Sequence, residues 1–294
     1  MPLTRKDRIT GCLLGGALGD AIGSQFEGSN SLDTVCLPPQ LFVTDDTQLT
    51  IATCESIVEV GAVSPESVSF SFRQWFREGR INGIGSSTLK ALTELDAGGH
   101  WALVGANGER AAGNGAAMRI APLAFFLDPH LPSERQTIRD VCRITHRNDE
   151  AYIGALAMIQ AIRYATKTGA LSHSMLPAVI NGLPDSRVRD RLAEINENSC
   201  SIQDYVQRYA TTGYVVDSVP LALLAATQAT DISDSINQLV RCGGDTDTIA
   251  SMFGQIFGTA NGPAALPLET LNSIDEITLV RDTALNLSNV SFAR

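Results

Sequence analysis

Apolar positions recur at helical spacing along most of this chain. Ile9, Cys12, Leu13, Gly16 and Ala17 fall on one helix face, and Leu49, Ala52, Ser56, Ile57 and Val60 on another, because residues three and four apart lie side by side on a helix. The same pattern predicts helices over 67–76, 87–95, 151–164, 219–227, 232–239 and 249–257, and no alternating β-branched run is long enough to suggest several strands. Turn signals punctuate these stretches at Pro38-Pro39, Asn82-Gly83, Gly98-Gly99, Asn107-Gly108, Asn181-Gly182 and Asn261-Gly262. With no low-complexity linker and no fixed-period repeat, residues 1–294 read as a single all-α domain.

One stretch breaks the periodicity. Residues 95–115 are Gly-rich without an apolar face, and a loop of that length inside a domain is often functional. Its tail, Gly113-Asn114-Gly115-Ala116-Ala117-Met118-Arg119, reads as a loop entering a helix. Such a start can present N–H groups to a phosphate; a tight turn ahead of a core helix is the alternative.

Composition narrows the classes. At 44% hydrophobic and 18% charged residues the chain is an ordered globular protein. A net charge of −10 without clustered Lys/Arg excludes a nucleic-acid surface of the usual electrostatic kind. No apolar run reaches the ~18 residues of a membrane span. The opening MPLTRKDRIT lacks a long apolar segment, so no membrane association and a cytoplasmic setting are expected. The cysteines Cys12, Cys36, Cys54, Cys142, Cys200 and Cys242 are scattered without zinc-ligand spacing and read mostly as small core residues.

Candidate chemistry concentrates in two aspartate clusters 200 residues apart, Thr44-Asp45-Asp46-Thr47 and Asp245-Thr246-Asp247-Thr248, each opening a helix. One such residue suffices to cap a helix. Two carboxylates and two hydroxyls exceed that need, and crowded like charges are costly unless a cation offsets them. All-oxygen donors select a hard cation, Mg²⁺ or Mn²⁺, and several carboxylates can hold two such ions ~3.5–4 Å apart for hydrolytic chemistry. Other motif readings fail. Neither cluster has the EF-hand frame. Asp245-x-Asp247 follows Gly243-Gly244 rather than the buried strand of an aspartyl-phosphate nucleophile. Gly15-Gly16-Ala17-Leu18-Gly19-Asp20 lacks dinucleotide-binding spacing and reads as a helix packed closely against its neighbours.

Taken together, Gly11–Glu27 (GCLLGGALGDAIGSQFE), Thr44–Thr47 (TDDT), Gly113–Arg119 (GNGAAMR), Thr145-His146 and Gly243–Ile249 (GGDTDTI) resemble, in order, the blocks of the ADP-ribosylglycohydrolase family. That family includes the dinitrogenase-reductase-activating glycohydrolase and the ADP-ribosyl-acceptor hydrolases. The resemblance implies a compact orthogonal helical bundle and a centre of two Mg²⁺ (or Mn²⁺) ions at the base of an ADP-ribose cleft. The implied metal ligands are Thr44, Asp45, Asp46, Asp245, Asp247 and Thr248. Glu27 and Asp46 are the implied catalytic carboxylates, with Asp20 in support. Gly113, Asn114, Gly115 and Ala116 are expected to line the diphosphate, and His146 to lie near a phosphate or the distal ribose. The plainer reading of His146 is a cation at a helix C-terminus, and Arg119 is expected to pair with a core carboxylate. His100, His130 and His173 carry no assignment.

The implied reaction removes ADP-ribose from a mono-ADP-ribosylated protein by cleaving an N- or O-glycosidic bond. The alternatives are a catalytically silent ADP-ribose-binding relative and a phosphohydrolase using the same metal pair. An arginine acceptor would call for a further carboxylate, for which acidic residues within 77–96 are candidates. The short span from Glu27 to Thr44 leaves room only for a small gating loop.

Overall fold

The computed structural model describes residues 2–29 and 35–291. The small gating loop expected between Glu27 and Thr44 therefore falls partly on residues 30–34, outside the described residues.

The all-α expectation holds. The chain begins with α1 (Arg5–Gly23), α2 (Asp45–Val60), α3 (Pro65–Arg77), α4 (Ser86–Asp96) and a one-turn α5 (Trp101–Val104). β1 (Ala106–Asn107) follows, then short 3-10 turns at Glu109–Ala111, Asn114–Ala116 and Ala121–Phe125. Next come α6 (Pro132–Arg143) and β2 (His146–Arg147), which pairs in parallel with β1, Ala106 opposite His146. The remainder is helical: α7 (Asp149–Thr168), α8 (Met175–Gly182), α9 (Arg187–Glu197), α10 (Ile202–Arg208), α11 (Val215–Gln228), α12 (Ile232–Arg241), α13 (Thr246–Asn261), α14 (Leu268–Asn272) and α15 (Ile277–Ser288). No helix among the described residues is long and apolar enough to cross a membrane.

Every predicted helix lies within an observed one, while α5, α6, α8, α9, α10, α14 and α15 go beyond the prediction. Two of these, α6 and α9, bury only Ile138, Val141, Cys142 and Val188, Leu192, Ile195, a thin apolar stripe on otherwise charged helices. The segment after Gly113 differs from expectation. It forms 3-10 turns instead of entering a helix, and Pro122, which has no N–H to donate, sits in the second of them.

The centre of the molecule is the antiparallel pair α1 and α13. Glycines at 11, 15, 19 and 23 form a ridge along α1, one every helical turn. A Cβ added at Gly11 would stand 2.1 Å from the Gly258 carbonyl oxygen, at Gly15 2.2 Å from that of Gly254, and at Gly19 2.0 Å from that of Ala250. Only bare backbone allows this approach, and it is reciprocal: a Cβ at Gly258 would stand 1.9 Å from the Gly11 oxygen. The close packing read from the sequence is thus backbone against backbone. Helices α2 and α15 pack against α1, while α7, α11 and α12 pack against α13. Because the pair is antiparallel, the C-terminal end of α1 meets the N-terminal end of α13, and the expected metal ligands of α13 arrive beside Asp20.

Candidate active site

Asp20 welds α1 to α2. Although it sits in the last turn of α1, its carboxylate serves the start of α2: Oδ1 and Oδ2 accept from Thr44 N–H at 3.1 and 3.0 Å, and Oδ2 accepts from Thr47 N–H at 3.1 Å. The hydroxyls of Thr44 and Thr47 donate to it as well, at 2.8 and 2.5 Å. These are the orphan donors of a helix N-terminus. Asp20 is fully buried, and burial pushes its carboxyl up to about 6 despite those bonds. Both its oxygens are engaged in holding α2, which matches the supporting place expected for it.

The start of α13 is held just as tightly. Thr246 donates its hydroxyl to the Gly23 carbonyl at the end of α1, 2.8 Å away. Gly243 and Gly244 have φ of +71° and +81°, the left-handed region that glycine enters at little cost. Gly244 also passes so close to Thr211 that a Cβ would stand 2.0 Å from its carbonyl oxygen. Paired backbone bonds, Gly28 N–H to Gly244 O at 2.8 Å and Gly244 N–H to Ser29 O at 3.1 Å, bring the Glu27 loop alongside.

Carboxylates from three places in the sequence therefore converge. Ligating oxygens of Asp20, Asp46 and Asp247 lie within 4.8 Å of one another, as do those of Glu27, Asp245 and Asp247. Asp247 belongs to both groups, so the cluster is continuous and extends from the buried floor to exposed Glu27. Thr248 donates to Asp46 Oδ2 at 3.0 Å, joining the two expected ligand sets directly. Asp46 Oδ1 is buried with no hydrogen-bond partner among the described residues. A carboxylate oxygen left bare in that position is costly unless something positive meets it.

Burial is the main cause of the shifts seen here, and mutual repulsion adds to it. Asp45 and Asp46 are held well above the carboxylate range, Asp45 next by Asp20 and Asp46 next by Asp247. Asp247 is pushed up to about 8, with Asp245 as its strongest charged neighbour. Asp245 is raised too, although Asn114 opposes this by donating to Oδ2 at 2.5 Å. A divalent cation bound among them would offset the mutual repulsion and favour the ionised carboxylates against the effect of burial. The donor set is carboxylate and hydroxyl oxygen without His or Cys, so Thr44, Asp45, Asp46, Asp245, Asp247 and Thr248 fit a hard cation.

A cleft of about 270 Å³ opens above the cluster. Glu27, Asp45, Asp245, Asp247 and Thr248 line it, whereas Asp46 lies beneath the floor. One wall carries Gly113, Asn114, Gly115 and His146; Ala116 is fully buried behind them. A further stretch of wall, Gly83, Gly85 and Ser86 to Thr88, went unassigned in the sequence, although its Asn-Gly turn and hydroxyl run were visible there. That wall is tied to the carboxylate cluster by Gln48, whose side-chain oxygen accepts from Asn82 N–H at 2.8 Å. Arg110 is the one cation among the described lining residues apart from the titratable His146.

Three expectations need correction. His146 is not a helix C-terminal cation: it lies in β2, buried, and burial reinforced by Arg119 lowers its ring to about 3, so it is neutral. Arg119 pairs with no carboxylate among the described residues; it lies over the Phe72 ring and donates to Val141 O and Thr145 Oγ1. The acidic residues of 77–96 do not reach the cleft, since Glu78, Glu94 and Asp96 are engaged on the surface with Arg80, Lys90 and Arg77.

Comparison with known proteins agrees with the architecture. The sequence profile described as ADP-ribosylglycohydrolase matches residues 1–293. The ADP-ribosylarginine hydrolase Tri1 of Pseudomonas putida (strain GB-1) is 28% identical over 93% of this chain and 76% of its own length. The ADP-ribosylhydrolase ARH3 of Homo sapiens is 24% identical over 88% of this chain and 87% of its own. A solved structure titled ADP-ribosylglycohydrolase-related protein complex superposes with a TM-score of 0.74 at 27% identity, covering 98% of this chain and 99% of that one.

Proposed function

The chain belongs to the ADP-ribosylglycohydrolase family, and on that premise we propose that it is a metal-dependent hydrolase releasing ADP-ribose from mono-ADP-ribosylated protein side chains. Residues 1–294 act as one catalytic domain in this reading. The observation that carries it is the continuous carboxylate cluster at the cleft floor, with a bare buried oxygen on Asp46.

Thr44, Asp45, Asp46, Asp245, Asp247 and Thr248 would hold two Mg²⁺ or Mn²⁺ ions. Such ions supply Lewis-acid orientation of a ribose diol and a lower pKa for water. The protein's own part is positioning and proton transfer. Cleavage at an anomeric carbon builds positive charge in the transition state, and the ring of carboxylates favours that charge. Glu27, exposed at the rim and within the second oxygen group, is the carboxylate that can take a proton from the attacking water. Asp46, buried beneath the floor, acts as a ligand, and the base role considered for it passes to Glu27. Gly113, Gly115 and His146 form the wall that would face the diphosphate and Arg110 adds charge, while Asn114, whose N–H groups are donated to Gly213 O, Ser218 and Asp245, fixes that wall to the carboxylate cluster.

The test is release of ADP-ribose from a mono-ADP-ribosylated acceptor by wild type, Asp46→Ala and Asp245→Ala. The reading expects both variants to lose at least a hundredfold in turnover, the order reported for loss of a key electrostatic group. Release at the wild-type rate by either variant overturns the metal mechanism. Tight ADP-ribose binding without any release would instead mark a silent binder, and inorganic phosphate from simple phosphate esters a phosphohydrolase.

A further inference from the structure

Arg119 is the largest side chain wholly withdrawn from solvent among the described residues, yet its charge is poorly answered. Nη2 donates to Val141 O at 3.2 Å and to Thr145 Oγ1 at 2.8 Å, the Phe72 ring lies 4.6 Å from the guanidinium carbon, and Nε and Nη1 have no partner among the described residues. A buried cation without a carboxylate is expensive to keep. Among the described residues the one side chain it bonds, Thr145, also contacts His146, through Oγ1 and Nδ1 at 2.9 Å.

Proton accounting at the Thr145 hydroxyl decides the histidine tautomer. A hydroxyl offers one proton and two lone pairs, and a guanidinium can only donate. Oγ1 therefore accepts from Arg119. Its other contact is His146 Nδ1, and Thr145 is fully buried. Were Nδ1 protonated, Oγ1 would accept twice and its own O–H would be left buried and unpaired, which carries the full desolvation penalty of a lost donor. With Nδ1 bare, the hydroxyl donates to it, and both the Thr145 proton and Nδ1 are satisfied.

We propose that Arg119 and Thr145 are positioning residues that lock His146 as the Nε2–H tautomer, making it a fixed neutral donor aimed into the cleft. The ring lines that cleft and is clamped by the facing glycines: a Cβ at Gly113 would stand 3.1 Å from Nε2, and one at Gly115 2.7 Å from Cε1. Burial also keeps the ring neutral, while Arg119, lowered to about 10, stays charged at neutral pH. The matching ligand group is one that only accepts hydrogen bonds, such as a diphosphate oxygen. Identifying that ligand as ADP-ribose rests on the proposed function; the tautomer does not.

The experiment is ¹⁵N-histidine labelling of the whole protein with long-range ¹H–¹⁵N spectra near neutral pH, alongside calorimetric ADP-ribose titrations. Wild type is expected to show His146 with Nε2 protonated and Nδ1 bare. Thr145→Val, nearly isosteric, should release Nδ1 into a mixture of tautomers and weaken ADP-ribose binding by roughly tenfold. Thr145→Ser should restore both. A protonated Nδ1 in wild type overturns the proposal, as does a Thr145→Val protein keeping the wild-type spectrum and affinity. Should that variant fold poorly, the wild-type spectrum and Thr145→Ser decide. A wild type with Nε2–H that does not bind ADP-ribose supports the relay and overturns only the assigned ligand.

Discussion

Replacing Gly15 by alanine would place a methyl carbon 2.2 Å from the Gly254 carbonyl oxygen, where ordinary contact begins at 3.4 Å. The helices α1 and α13 would have to part locally by about 1.2 Å, the difference between those distances. No flexible side chain can yield, because the obstacle is backbone. Overpacking of this kind costs about 1–3 kcal/mol, and a rigid obstacle puts Gly15→Ala at or beyond the upper end. Alanine recovers about 1 kcal/mol through its better helix propensity. The net loss is about 2 kcal/mol, a fall in Tm of about 4–8 °C at roughly 2–4 °C per kcal/mol for a chain of this order. Differential scanning calorimetry reads it directly. Gly85→Ala is the control, since nothing lies within 4 Å of a Cβ there. A Gly15→Ala protein melting at or above the wild-type temperature would refute the backbone-contact account of the core.

Other outcomes follow from the carboxylate cluster. Asp247, raised to about 8 from an ordinary 3.8, favours the protonated folded state, so its stabilising contribution is complete below about 3.8, falls as pH rises above that and is gone once pH passes about 8. Metal-free protein should therefore lose Tm between about pH 6.5 and about pH 8 and level off above that, and saturating Mg²⁺ should abolish that slope; equal slopes in thermal melts with and without Mg²⁺ would contradict the shifts. His146 does not confuse this window, because a lowered histidine contributes fully above its ordinary 6.5. Asn114→Ala removes the donor that fixes Asp245 at 2.5 Å and should weaken Mg²⁺ binding about 10–100-fold by isothermal titration, as loss of a ligand-orienting partner does; unchanged affinity would show that Asn114 serves only the ligand wall.

The helices that form the centre were legible because their apolar residues recur at helical spacing and their glycines every fourth position. Helices α6 and α9 were not, since only three residues on each turn inward and the rest are charged. Both aspartate clusters were visible as helix starts carrying more oxygen than capping requires. Their convergence was not, because it depends on antiparallel packing between helices more than 200 residues apart in sequence. Asp20 illustrates the gap. A lone aspartate at a helix end says nothing about which helix it serves, and here it caps a different one. The Arg119–Thr145–His146 chain was equally hidden: Thr145 and His146 adjoin in sequence, but Arg119 reaches them only across the fold.

The central claim is that the carboxylate cluster does its chemistry through bound cations. It is tested most directly by single-turnover release of ADP-ribose from a mono-ADP-ribosylated protein, first after stripping with chelator and then after adding back Mg²⁺ or Mn²⁺. The account predicts no release above background from the stripped protein and full recovery on addition of the ion. Release at an undiminished rate in excess chelator would contradict it.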